Sequence, residues 1–316
     1  MGLVEAQDLH KRFGSLTAVD GISFTVERGE VVGFLGPNGA GKSTAMKIIS
    51  GFLEPTSGQA WIDGHNSHTD AIAARRKLGY LPEGAPAYAD MSVGAFLNFV
   101  AAMHGMSKRQ ANARLAELVE RVHLVDVWNQ RIDSLSKGFK RRVGIAQALV
   151  HDPDVLILDE PTDGLDPNQK FEMRSLIRSI APQKAIVIST HILEEVEAVC
   201  SRAIIIAKGR MLADATPAEL LARAPDAGSV TVAVAIADPQ PAIELISKEP
   251  GVARVVIAER LNGVTRLHVH TSRSQASASE FAGVLGRANI PANEIYLQRP
   301  TLDDVFRQIT ADVREH

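Results

Sequence analysis

Residues 33–47 read GFLGPNGAGKSTAMK, four glycines within nine residues and then one lysine followed by two hydroxyls. So much bare backbone beside a single positive charge suits a polyphosphate. Gly36, Gly39 and Gly41 free the chain to turn with its amides inward, and the N-terminus of a following helix adds the positive end of its dipole. Lys42 sits where an ammonium reaches β and γ phosphates, and Ser43 where a hydroxyl ligates the Mg²⁺ that travels with them. The pattern G-x-x-x-x-G-K-[ST] runs from Gly36 to Ser43, with the apolar run EVVGFL before it and the helix-spaced STAMKIISGF after it. Strand, loop, helix is the order such a cradle needs.

A phosphate loop alone spans kinases, GTPases and ATPases, and two further stretches narrow the choice. VLILDEP, 155–161, is a buried-strand pattern that delivers two consecutive carboxylates to the nucleotide edge of a parallel sheet. Asp159 would hold the metal, and Glu160, aimed differently, would polarise an attacking water. LSKGFKRR, 135–142, sets a serine and a glycine at a helix start, which alone is no more than an N-capped helix with a basic flank.

Upstream of VLILDE, that segment resembles the signature motif of ABC ATPases, usually LSGGQ, and the chain is identified as resembling the ATP-binding subunit of an ABC transporter. The resemblance covers residues 1 to about 220 and rests on motifs in order. GPNGAGKST matches the Walker A loop, which makes Gly36, Pro37, Asn38, Gly39, Ala40, Gly41, Lys42, Ser43 and Thr44 nucleotide-binding. VLILDEP matches Walker B. Phe13 matches an aromatic that stacks on adenine and Val19 an apolar neighbour of the base. DGLDP carries Asp166 as the D-loop aspartate, and His191 in STH matches the switch histidine that contacts the γ phosphate. The resemblance implies catalytic roles for Glu160, His191 and Lys42, with ATP and Mg²⁺ as cofactors.

It also implies a head-to-tail dimer, expected as a homodimer, in which Ser136 and Gly138 of one copy close on the ATP held by the other. Binding would close the dimer and hydrolysis would open it, moving a separate transmembrane permease at the cytoplasmic face of the inner membrane. Two departures stand out. Glu83, in GYLPEG, occupies the place of a glutamine that helps ligate Mg²⁺ and, as a carboxylate, is expected still to ligate it beside Ser43 and Asp159; the signature reads LSKGF, with Lys137 and Phe139. Similar departures, and a segment like PTLDDVF, recur in ABC-2-type exporters of the drug, polysaccharide and gliding-motility branches. The competing reading is a soluble ABC ATPase that remodels a partner outside the membrane.

Composition fits these expectations. The net charge is −3 with both signs interspersed, so no nucleic-acid footprint appears, and KGFKRR and ARRK read as solvated helix faces. Cys200 is the single cysteine, which excludes an internal disulfide. No apolar run approaches the roughly 18 residues of a membrane span, and the first residues lack signal-peptide and myristoylation patterns.

The expected fold is α/β: a P-loop NTPase core over residues 1–222 with a helical insertion at about 87–134, then a small α+β ferredoxin-like domain over 229–316. The boundary is placed at ARAPDAGS, 222–229, and the small domain is read from the order β-α-β-β-α-β. That domain is expected to serve dimer contact or regulation. RAIIIAKGRMLA reads as a hairpin turning at Lys208-Gly209, and another turn is expected at 261–263. The tail places Leu302, Val305, Phe306, Ile309 and Val313 on one helix face behind a Thr301 cap. His268 and His270 share a strand face without an evident third ligand, and His65 and His68 read as turn residues.

Overall fold

The structure, a computed structural model, describes residues 2–85, 87–224, 229–236, 238–261, 263–271, 278–297 and 301–311. Pro86, residues 225–228 of the 222–229 boundary, Asn262 of the 261–263 turn, Pro300 of PTLDDVF and Val313 lie outside the described residues. The chain divides into two compact units, Met1–Pro217 with Ile309–His316, and Ala218–Gln308.

The first unit begins with β1 (Val4–Phe13) and β2 (Leu16–Val26), and β3 (Val31–Leu35) leads into α1 (Lys42–Ile49). Next come β4 (Ser57–Ile62), β5 (His65–Asn66), α2 (Ala71–Lys77) and β6 (Leu78–Leu81). The expected helical insertion is α3 (Val93–Met103) and α4 (Lys108–Arg121), capped by Ser92 and Ser107, followed by α5 (Lys137–Leu149). The unit continues through β7 (Val155–Asp159), α6 (Pro167–Ile180), β8 (Ala185–Thr190), α7 (Leu193–Val199), β9 (Arg202–Ala207) and β10 (Arg210–Ala215). Helix α8 (Pro217–Ala222) follows.

Two sheets result. One is antiparallel, in the order β2-β1-β4-β5; the other runs β10-β9-β3-β8-β7-β6, with β9, β3, β8, β7 and β6 mutually parallel. Strands β3, β7 and β8 are buried at every position, as the unbroken apolar runs EVVGFL, VLILD and AIVIS require of strands covered on both faces. One apolar core joins β1 and β2 to the central strands through Ala45, Met46, Ile48 and Ile49 of α1. Phe24 on β2 meets Phe34 on β3 edge to face, ring centroids 4.9 Å apart. The helix that starts at the phosphate loop is thus held in the centre of the core. The Lys208-Gly209 hairpin forms as read, both residues at positive φ.

The second unit holds β11 (Val230–Val234), α9 (Gln240–Ser247), β12 (Val252–Leu261), β13 (Val264–Thr271), α10 (Ala278–Arg287) and β14 (Ala292–Leu297). Its antiparallel sheet has the order β12-β13-β11-β14, the ferredoxin-like arrangement expected from the element order. Phe281 and Leu285 of α10 and Ala242 and Ile246 of α9 pack on the β11 and β13 valines. Helix α11 (Leu302–Ala311) ends the described chain, with Thr301 and Asp304 in a reciprocal cap and Leu302 and Val305 buried.

Candidate functional site

A cleft of about 650 Å³ opens at the C-terminal end of β3, where the phosphate loop lies. Asn38, Gly39, Ala40, Gly41, Lys42, Ser43 and Thr44 line it, with Phe13, Glu83 and Glu160 opposite. Gly41 caps α1 with φ 104°, and a β-carbon at Gly36 would stand 2.3 Å from the Ile206 carbonyl oxygen. Only glycine fits either place. Gly36 and Pro37 support the loop from behind: Lys42 Nζ donates to their carbonyls at 2.7 and 3.2 Å. Lys42 is buried, and burial pushes its pKa down against the pull of Glu160, Asp159 and Glu83.

Phe13 is 48 % exposed at the rim, with Lys11 Nζ 5.2 Å above its ring, and presents an aromatic face to the cleft. Val19 departs from expectation: it is fully buried among the core residues, and Leu16, Thr17 and Ala18 line the cleft instead. Side chains alternate along β2, so one strand position separates the core from the cleft. Lys208, in the tight hairpin, also reaches the cleft.

The acidic groups come from neighbouring strands. Parallel pairing puts Asp159 of β7 beside Ser189 of β8. Asp159 is fully buried; its Oδ1 accepts from Ser189 Oγ and, at 3.3 Å, from Ser43 Oγ, while its Oδ2 has no protein partner. Leaving such an oxygen unsatisfied costs about 1–3 kcal/mol or more, and a hard cation with oxygen ligands removes that cost. Ser43 and Asp159 therefore fit Mg²⁺, which takes one or two protein oxygens and fills its shell from phosphate and water. Among the described residues no group of three acidic, His or Cys side chains could hold a metal alone, the His268/His270 pair included.

Glu160 follows with φ 52°, its amide donating to both oxygens of Ser189 at 3.1 Å. His191, the first residue beyond β8, faces it: Nδ1 lies 2.8 Å from Oε2 and 3.0 Å from Oε1. A proton on Nδ1 makes that hydrogen bond and leaves Nε2 free to meet a ligand. The Glu160 side chain is mostly buried and lines the cleft, and the imidazole bonded to it is half exposed.

Ser136, Gly138 and Asp166 form a separate cluster that does not line this cleft. Ser136 caps α5 by accepting from Phe139 N, and Asp166 caps α6 in a reciprocal box with Gln169. Gly138 packs against that same Gln169, whose Oε1 would lie 2.5 Å from an added β-carbon. Lys137, the departure in the signature, pairs with Asp163 at 2.8 Å.

Four residues escaped the sequence reading. Ser189 reaches Asp159 only through strand register. Arg141, taken as part of a solvated face, is 2 % exposed and lies 3.9 Å from Asp163, its pKa lowered by burial. Gly144, one turn on, lets α5 approach Leu81 and Ala85 closely: an added β-carbon would lie 2.6 Å from Leu81 and 2.9 Å from Ala85. Glu195 is buried behind His191. His65 and His68 are likewise engaged, His65 on β5 with Asp70 and His68 with the Ile48 carbonyl.

Comparison with known proteins gives the family and the fold. The family described as "ABC transporter" matches residues 19–163. The chain is 34 % identical over 314 residues to the daunorubicin resistance ATP-binding protein DrrA3 of Streptomyces coeruleorubidus, covering 96 % of this chain and 94 % of the relative. It is 40 % identical over 219 residues to the Nod factor export ATP-binding protein I of Burkholderia lata, covering 69 % and 72 %. A solved ATP-binding subunit of an ABC transporter superposes with a TM-score of 0.64 at 32 % identity, over 69 % of this chain and 91 % of that one. A dimeric ATP-binding cassette in a post-hydrolysis state with ADP and Pi shares the fold, with a TM-score of 0.62 at 24 % identity over 67 % of this chain and 98 % of that one. The chain belongs to the ATP-binding proteins of the ABC transporter family and is an ATPase.

Proposed function

We propose that this ATPase is the motor of an exporter, driving a separate transmembrane permease from the cytoplasmic face of the cell membrane. The hydrolytic part rests on one observation, the Glu160–His191 pair at 2.8 Å beside the phosphate loop. The loop amides and Lys42 hold the phosphates, Phe13 stacks the base, Glu160 takes the proton of the attacking water, and His191 orients Glu160 and the γ phosphate. Ser43 and Asp159 would hold Mg²⁺, with Glu83 at the same cleft as a further carboxylate, and the bound ion would supply charge neutralisation for the phosphates.

The cluster of Ser136, Gly138 and Asp166 serves a second copy. Ser136 is exposed at the start of α5, remote from the cleft of its own chain, which suits a head-to-tail homodimer that buries each ATP between two copies. Hydrolysis removes the phosphate both copies grip, and the dimer opens.

No helix among the described residues is long and apolar enough to cross a membrane. A groove of about 1080 Å³ runs between α1, the 82–84 turn and α3, lined by Phe52, Tyr80, Glu83, Val100, His104 and His151. Phe52 is 76 % and Met103 72 % exposed. This surface suits a cytoplasmic helix of the permease, and Glu83 borders both it and the ATP cleft. Residues 1–222 are assigned to the motor and 229–316 to an accessory domain. Export is favoured by the names of the relatives, one for drug resistance and one for Nod factor export.

The test is capture of the Glu160→Gln variant with ATP from detergent-solubilised membranes. A stoichiometric protein with several membrane spans is the expected partner. Recovery of soluble proteins alone, with ATP-dependent dimerisation intact, supports the soluble remodelling reading instead.

A further inference from the structure

Glu160 and His191 lie just beyond two adjacent strands, β7 and β8, and nothing in strand pairing alone fixes what the following loops do. On one side Ser189 closes the gap, bonded to Asp159 and to the Glu160 amide. On the other side a buried carboxylate does. Glu195, 5 % exposed on α7, accepts from Thr162 Oγ1 through Oε1 and from Thr190 Oγ1, at 2.9 Å, through Oε2. Thr162 is two residues past Glu160, and Thr190 immediately precedes His191. Both threonines are buried, 4 % and 1 % exposed.

We infer that Glu195 is a positioning residue, a brace that sets the loop carrying Glu160 against the loop carrying His191. An ionised carboxylate is an acceptor with two oxygens, and hydroxyl bonds to it are about twice as strong as neutral ones. It therefore clamps two donors at once. Thr190 Oγ1 also accepts from Ile192 N at 3.0 Å, so its hydroxyl proton points to Glu195 and its lone pair to the loop that presents His191. The half-exposed imidazole has little packing of its own, and its contact with Glu160 depends on where these two loops stand. The brace reaches further on the Glu160 side: Thr162 O accepts from Leu165 N at 3.2 Å, in the turn that leads to Asp166. Loss of the carboxylate leaves two buried hydroxyls without their acceptor and lets the loops drift, and drift of about 1 Å costs catalysis far more than binding.

The inference rests on Glu160 and His191 as the hydrolytic pair, and the experiment separates the two. Turnover against ATP concentration is measured for Glu195→Ala, Glu195→Gln and Thr162→Val in the full chain, each alone and combined with His191→Ala. The expected result is a kcat lowered at least about tenfold in Glu195→Ala with KM within about twofold. Glu195→Gln, which keeps the shape but only one acceptor oxygen, falls between Glu195→Ala and the native chain. In the His191→Ala background Glu195→Ala changes kcat less than about twofold, because its effect passes through the residue already removed. Unchanged kcat in Glu195→Ala, a raised KM with intact kcat, or losses that multiply in full with His191→Ala overturn the brace. Wild-type turnover by His191→Ala alone overturns the hydrolytic pair first and the brace with it. Should Glu195→Ala fail to fold, Thr162→Val, which removes one bond, carries the same comparison.

Discussion

The carbonyl oxygen of Ala18 lies 2.3 Å from where a β-carbon on Gly41 would sit, so the first turn of β2 and the start of α1 meet backbone to backbone. Gly41 also holds φ 104°, a region closed to L side chains. Gly41→Ala therefore moves the loop off β2, and ATP affinity should fall at least about tenfold with a lower Tm. Gly39, at φ 81°, has open space around it. Gly39→Ala should cost only backbone strain, about 1 kcal/mol. Calorimetric titration with ATP and thermal melts of both variants check the contrast, and equal losses would show that the Ala18 contact decides nothing.

Glu160→Gln keeps the shape and the amide bonds to Ser189 but cannot take a proton. Phosphate release should fall by about 10²–10³-fold while ATP is still bound. Single-turnover assays beside equilibrium binding measure the two separately. Turnover within tenfold of wild type would remove Glu160 from the role of base.

Glu83 brings a carboxylate into a cleft built for a polyanion, and its field is felt at Lys42. Glu83→Gln removes that repulsion. Because the side chain is exposed and screened, the gain is modest: ATP should bind about two- to fivefold tighter at low salt, and the gain should shrink as ionic strength rises. Weaker binding by the amide would instead assign Glu83 a role in holding the metal.

The parts of this site that the sequence displays are those whose chemistry is local. A glycine-rich turn before a helix, and two carboxylates ending an apolar strand, specify their own backbone: Asn38 through Ser43 and Glu160 line one cleft, and Asp159 accepts from Ser43. Val19 faces the core while its neighbour Ala18 lines the cleft, a difference of one position along β2 that an apolar pattern alone does not resolve. Ser189 and Glu195 act across 30 and 33 residues of chain, through the pairing of β7 with β8. Arg141 sits in a basic run that reads as surface charge, and its burial comes from tertiary packing around α5 that no local pattern announces. In the second unit the strand order followed from the element order, since a β-α-β-β-α-β chain has few ways to close a sheet.

His104 and His151 stack in the groove beside α3, centroids 3.7 Å apart and planes 7° from parallel. His151 Nε2 lies 3.1 Å from the Leu78 carbonyl and so donates to it, and burial, with His104 and Lys184 nearby, pushes its pKa down to about 4 although Asp152 pulls it up. His104 is lowered too, by burial. The folded chain thus binds fewer protons here than the unfolded chain, whose imidazole titrates near 6.5. Stability from this group is complete above pH 6.5 and is lost as pH falls toward about 4, with a slope of up to about 1.4 kcal/mol per pH unit. His151→Gln keeps a donor for Leu78 without a titrating ring. Denaturant melts between pH 7.5 and 5 should therefore show a shallower loss of stability for the variant than for the native chain. Parallel pH profiles would mean that the stacked pair takes up its proton without unfolding, by parting within the groove, and that this surface is softer than its burial implies.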